Sequence, residues 1–194
     1  EAYAAGQRIF AESRPQELYA KVKELAAVTG ADGTPAYSDI IWHFIGHLQT
    51  NKLKLVLPYV AMVQSVDSLH LLEAIDRWGR ENGRVTDVLL ECHIAAEQTK
   101  QGFSGDEVKR ILSGERSFPN VKFRGLMGMA TFTDDEAVIR GDFGRIRDLF
   151  LAVAGRLKDF TELSVGMSED YRIALEYGST MVRIGTMIFG PRVY

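Results

Sequence analysis

Strand-like apolar runs alternate with helix-like segments along this whole chain, and that alternation restricts the fold more than any single residue does. The clearest run, 85–95 (VTDVLLECHIA), is predominantly apolar, as a strand must be when other structure covers both its faces. Similar runs occupy 8–13, 41–46, 60–66 and 121–130. Between them the apolar residues switch to helical spacing. Leu18, Val22, Leu25 and Ala26 follow Pro15, and Leu69, Leu72, Ala74 and Ile75 follow Asp67 and Ser68. A longer set, Phe143, Ile146, Leu149, Phe150, Val153 and Leu157, follows Asp134 and Asp135. Repeated β-then-α units dictate a parallel sheet, either open or closed into a barrel.

Seven strands are predicted, the last two flanking a short helix near the C-terminus. A TIM (β/α)8 barrel takes eight. The first residues, 1–8, read as the end of a helix running into a strand. The expectation is therefore one α/β domain over 1–194, a TIM barrel without its first strand in this sequence. A doubly wound open sheet is the alternative. Such a barrel leaves unpaired backbone near Arg8 and Ile184, and open edges invite aggregation.

Two features near the C-terminus suit a phosphate. The strand ending at Gly166-Met167-Ser168 hands over to a helix bearing Ile173, Ala174 and Tyr177 on one face, which puts Ser168 at the predicted N-cap. The first N–H groups of a helix lack internal partners and carry partial positive charge. The following segment is predicted as a strand running to Phe189 and Gly190. It carries Arg183, a permanent cation, then Gly185, which admits close approach, and Thr186, a hydroxyl donor. An ordinary strand-helix-strand unit with a turn glycine accounts for the same residues. Glu169 and Asp170 already bring negative charge to the helix start. In a TIM barrel the last two βα loops are the usual phosphate site, and this segment falls there once a first strand is counted.

Composition removes other classes. With 23 Lys and Arg against 26 Asp and Glu, and no basic run, nothing marks a nucleic-acid surface. No apolar run reaches the ~18 residues of a membrane span, and no signal-peptide pattern opens the chain. The single cysteine, Cys92, allows no internal disulfide and fits a reducing cytoplasm; it reads as a core thiol. His43 and His47 have a zinc-type spacing, but across a strand end that spacing spans about 13 Å. Asp87, Glu91 and Asp170 show no partner histidine or metal set in the sequence. Met127 and Met129 read as barrel packing, with lining of a ligand pocket as the alternative for Met127, and Lys100, in the polar loop 97–103, is the one in-chain candidate for a functional amine.

The segment 42–57, WHFIGHLQTNKLKLVL, resembles the signature of the pyridoxal phosphate homeostasis proteins, which are similar to the N-terminal barrel of bacterial alanine racemase. The resemblance extends over nearly the whole chain, through AYAAGQRIFAESRPQE at 2–17, GFSGDEV at 102–108, GLMGMAT at 125–131, LSVGMSEDY at 163–171 and GSTMVRIGTMIFG at 178–190. It implies a fold-type III barrel that binds pyridoxal 5′-phosphate (PLP). By that resemblance Ser168, Gly185 and Thr186 form the phosphate cradle, Met167 is a further cofactor-binding residue, and Arg183 faces the pyridine nitrogen. Ser13 stands where the family has an asparagine and is shorter, so a contact to the cofactor's ring oxygen is lost or bridged by water. The family's cofactor lysine, in a segment like Val-Ser-Lys-Thr, precedes the stretch that opens this sequence; Lys52 and Lys54 follow a different strand and do not replace it. The function implied is a cytoplasmic PLP carrier or buffer without turnover, a monomer with PLP-dependent apoenzymes as recipients. The alternative is a small PLP-dependent amino-acid racemase, which needs a second acid/base group facing the cofactor.

Overall fold

The computed structural model describes residues 1–95, 101–155 and 157–190. Seven strands form one sheet: β1 (Ile9–Glu12), β2 (Ile41–Phe44), β3 (Met62–Val66), β4 (Thr86–Cys92), β5 (Val121–Gly128), β6 (Glu162–Met167) and β7 (Met181–Arg183). They pair in sequence order and every pairing is parallel. Helices α1 (Pro15–Ala26), α2 (Leu53–Val56), α3 (Leu69–Asn82), α4 (Gly105–Leu112), α5 (Glu136–Ala154), α6 (Tyr171–Glu176) and α7 (Thr186–Phe189) return the chain after each strand. This is the TIM-type barrel expected. Its two margins are β1 and β7, the strands predicted to carry open edges.

Local chemistry explains the helix ends. Pro15 occupies the first position of α1, where its missing N–H costs nothing. The Ser68 hydroxyl accepts from the Leu71 N–H at the start of α3, and Gly83 closes that helix in the left-handed region at φ 62°. Ser104 and Glu107 form a reciprocal capping box on α4.

Two apolar regions separate the faces of the sheet. Val88, Leu90 and Cys92 of β4 pack outward with Ile75, Val108, Phe143 and Ile146 from the helices. Leu89 points the other way, into a small interior cluster with Met62 and Met127, which Met129 flanks. Each fully buried aliphatic side chain contributes about 1.5–3 kcal/mol. Both Met127 and Cys92 thus hold the packing roles read from the sequence. Burial, with the neighbouring Glu91 adding to it, pushes the Cys92 thiol up to about 12, which removes it as a nucleophile.

Close approach between strands uses glycine where nothing else fits. A Cβ on Gly125 would lie 1.7 Å from the Glu162 carbonyl oxygen, and one on Gly46 2.0 Å from that of Ser13.

Candidate functional site

Because all seven strands are parallel, their C-terminal ends share one rim. Ser13, Gly46, Gly128, Met167 and Arg183 all stand at or just past those ends. The β6–β7 portion is the most elaborated. The chain leaves β6 through Gly166 at φ 97°, and a Cβ there would meet that of Ala174 at 2.6 Å. The tight exit folds Asp170 back, so that its carboxylate accepts from the Met167 N–H at 2.6 Å.

Two local predictions are corrected here. Ser168 does not cap α6: the chain makes a further turn and Asp170 holds the N-cap position. The segment after Arg183 is not a continuing strand, since β7 ends there and Thr186 begins the one-turn helix α7. The two corrections reinforce one another. Buried Ser168 turns its hydroxyl toward the start of α7 and accepts from the N–H groups of Gly185 and Met187, each at 3.4 Å. The helix terminus beside Ser168 is thus that of α7, and both contacts are at the long limit for a hydrogen bond.

Met167 pairs in register with Arg183. The Arg183 guanidinium points into the barrel. One terminal nitrogen donates to the Ser164 carbonyl and hydroxyl oxygens at 2.8 and 2.7 Å, and the other to the Gly128 carbonyl at 2.9 Å. Burial lowers its proton affinity to about 10, with Glu91 and Asp170 opposing that shift. An arginine only donates, so the Ser164 hydroxyl must pass its own proton onward, to the Gln64 side-chain oxygen at 2.7 Å. The Gln64 amide nitrogen then donates to His43 Nδ1 at 2.9 Å and touches the Met181 sulfur. Donor logic therefore places the His43 proton on Nε2. Burial also lowers the affinity of this histidine for a second proton. This chain of partners links β7, β6, β3 and β2 across the interior.

Of the predicted residues, the structure brings Met167, Ser168, Arg183, Gly185 and Thr186 together. Ser13 lies on the same rim but on the opposite margin of the sheet, against Gly46. Lys100 falls outside the described residues. His43 and His47 go separate ways: His47 Nδ1 meets the Asp67 carboxylate at 3.0 Å, while His43 stays with Gln64.

Glu91 is the main omission from the sequence reading, which gave it no partners. It shares the inward face of β4 with Leu89, is 8% exposed and pairs in register with Met127. Asp67, Arg183 and His47 all act on it electrostatically. Burial first, then Asp67, pushes its carboxyl from the ordinary 4.5 up to about 7, against Arg183 and His47. The folded state holds the proton that the unfolded chain has already released, so stability falls as pH rises from 4.5 to about 7. The loss is about 3 kcal/mol at most. Urea titrations of wild type and Glu91→Gln at the two ends of that range should show the decline in wild type and a smaller one in the variant. Equal declines would contradict the assignment.

Comparison with known proteins bears on this rim. The family model "Alanine racemase, N-terminal domain" matches residues 1–193. The pyridoxal phosphate homeostasis protein of Aquifex aeolicus is 34% identical over 195 residues, spanning 100% of this chain and 81% of its own. That of Synechocystis is 36% identical over 193 residues, spanning 99% and 84%. The structure of PipY from Synechococcus elongatus with PLP bound superposes with a TM-score of 0.83 at 33% identity, covering 97% of this chain and 84% of that one.

Proposed function

The chain belongs to the alanine racemase N-terminal domain family, among the pyridoxal phosphate homeostasis proteins, and from that premise we propose that it binds PLP at the β6–β7 rim and serves as an intracellular carrier or buffer of the cofactor. The observation that carries this reading is the meeting of Ser168 with the start of α7, next to an inward-turned arginine.

The residues present fit the group. Two N–H donors and a hydroxyl converge with long mutual contacts, so an anion can replace them at little cost. Gly185 has an ordinary negative φ of −118°, and a Cβ there would meet nothing within 4 Å. Internal packing does not call for glycine at this position, which leaves room for a ligand as its use. Thr186 supplies a further hydroxyl at the same turn. Among the described residues, Arg183 keeps its Nε–H and one terminal N–H for a ligand in the mouth. Bound PLP would supply an electron-withdrawing pyridine ring and a reactive aldehyde. An arginine facing that ring nitrogen does not protonate it as an acid would, which suits holding the cofactor better than carbanion chemistry.

The absence of turnover, recipient apoenzymes, a monomeric state and a cytoplasmic setting are parts of the same proposal. No helix among the described residues is long and apolar enough to cross a membrane.

Gly185→Val tests the site directly. Its unfolding free energy should stay within about 0.5 kcal/mol of wild type, because the added atoms face open space. Its affinity for PLP, measured by equilibrium dialysis, should fall at least about tenfold, from blocked donors in the cradle. Unchanged affinity would place the phosphate elsewhere. Alanine racemisation by the wild-type protein at enzyme-like rates would overturn the carrier reading.

A further inference from the structure

We propose that Glu91 is a ligand-site residue which couples capture of a phosphorylated pyridine in the barrel mouth to uptake of a proton; this rests on the PLP reading above.

The placement is unusual for a carboxylate. Glu91 is 8% exposed and lies on the inner face of β4, beside an apolar interior formed by Leu89, Met127 and Met62. Among the described residues its carboxyl has no hydrogen-bond partner. It lines a small recess with His93, Gln101 and Met129. His93 Nδ1 in the same recess is likewise buried without a partner. Buried polar groups in folded proteins are almost always paired, so an orphaned His93 Nδ1 beside the Glu91 carboxyl marks this recess as a place for a ligand.

The groups facing Glu91 come from four elements. Arg183 of β7 is the cation, and His47, which follows β2, is the second favourable neighbour. Asp67, which follows β3, opposes its ionisation. Cys92 adjoins it on its own strand and His93 follows just past the strand end, and the thiol stays protonated. A ligand that reaches Arg183 changes this balance in two ways. It draws on the guanidinium that favours the Glu91 carboxylate, and it brings anionic phosphate to the same rim. Both changes favour the neutral acid. The reaction is carboxylate plus a buffer-derived proton giving carboxylic acid, with no electron transfer. The neutral acid then has an O–H to donate within the recess.

The experiment is isothermal titration of PLP into the full chain at about pH 8, in buffers of different ionisation enthalpy. Wild type should take up about 0.5–1 more proton per PLP than Glu91→Gln does, because the carboxylate is largely ionised beforehand. PLP affinity should weaken severalfold in wild type between about pH 6 and pH 8 and change less in the variant. Pyridoxal, which lacks the phosphate, should show a reduced uptake. If PLP binds both proteins with equal proton uptake, this inference fails while the PLP reading stands. If PLP binds neither, that reading fails. Should the variant not fold, difference infrared spectroscopy on wild type decides: PLP should raise a protonated-carboxyl band, and its absence overturns the proposal.

Discussion

Replacing Arg183 with methionine should destabilise the protein by about 3 kcal/mol and cost more at pH 8 than at pH 5.5. The guanidinium satisfies the Ser164 carbonyl and hydroxyl and the Gly128 carbonyl, all inside the barrel. Methionine fills similar volume but leaves those acceptors without a donor, and an unsatisfied buried polar group costs about 1–3 kcal/mol. The pH dependence has a separate origin. Arg183 is one of two neighbours that favour the Glu91 carboxylate, against burial and Asp67. Without it the Glu91 proton affinity rises further. Little changes at pH 5.5, where Glu91 is already neutral, whereas at pH 8 the folded state must hold an ion that has lost its counter-charge. Urea unfolding of wild type, Arg183→Met, Glu91→Gln and the double variant forms a cycle. The excess cost at pH 8 should shrink when Glu91 is already glutamine. A cost that ignores both pH and the second substitution would show that the two side chains do not communicate. Arg183→Lys should fall between: it keeps the charge and loses the two-pronged geometry.

The sequence made the scaffold readable because parallel strands covered on both faces must be continuous apolar runs. The 85–95 run and the six others map onto seven strands in sequence order. The cap at Ser68 is local chemistry and was equally visible. At the site the outcome was mixed for a physical reason. Ser168, Gly185 and Thr186 could be picked out as phosphate chemistry, but the assignment of Ser168 to α6 failed. One extra turn at Ser168–Asp170 moved the cap to Asp170 and left the serine for α7. Whether Ile184 continues a strand or turns into α7 depends on the neighbour across the rim, which no local window contains. Glu91 was invisible for a related reason. Periodicity places it on a face of β4, but Arg183, Asp67 and His47 reach it only once β7, β3 and β2 curl around the same mouth. The chain of partners from Arg183 through Ser164 and Gln64 to His43 joins residues up to 100 positions apart in a single step. Family resemblance pointed to Arg183 and to none of the residues that hold it.

Gly166→Ala should lower stability by about 3 kcal/mol or more and weaken PLP binding with it, although residue 166 carries no side chain toward the ligand. Two costs combine. The backbone at φ 97° is a region that L side chains rarely adopt, which costs about 1–2 kcal/mol. The new methyl would also sit 2.6 Å from the Ala174 Cβ and 3.0 Å from the Tyr171 Cα, so α6 must move away from the strand. Gly178→Ala separates the two. Its φ is 81°, but a Cβ there meets nothing within 4 Å, so it should show the backbone cost alone. Combining Gly166→Ala with Ala174→Gly removes the nearest clash and should recover part of the excess. The binding effect has its own route. Displacing α6 shifts Asp170, whose carboxylate holds the Met167 N–H, and Ser168 lies between them. The hydroxyl then no longer faces Gly185 and Met187, and the donors at the start of α7 lose their common focus. Stability is read from urea unfolding and affinity from equilibrium dialysis at a temperature where every variant is folded. A Gly166→Ala protein that is folded and binds PLP as wild type does would separate the cradle from the β6 exit and refute its dependence on that turn.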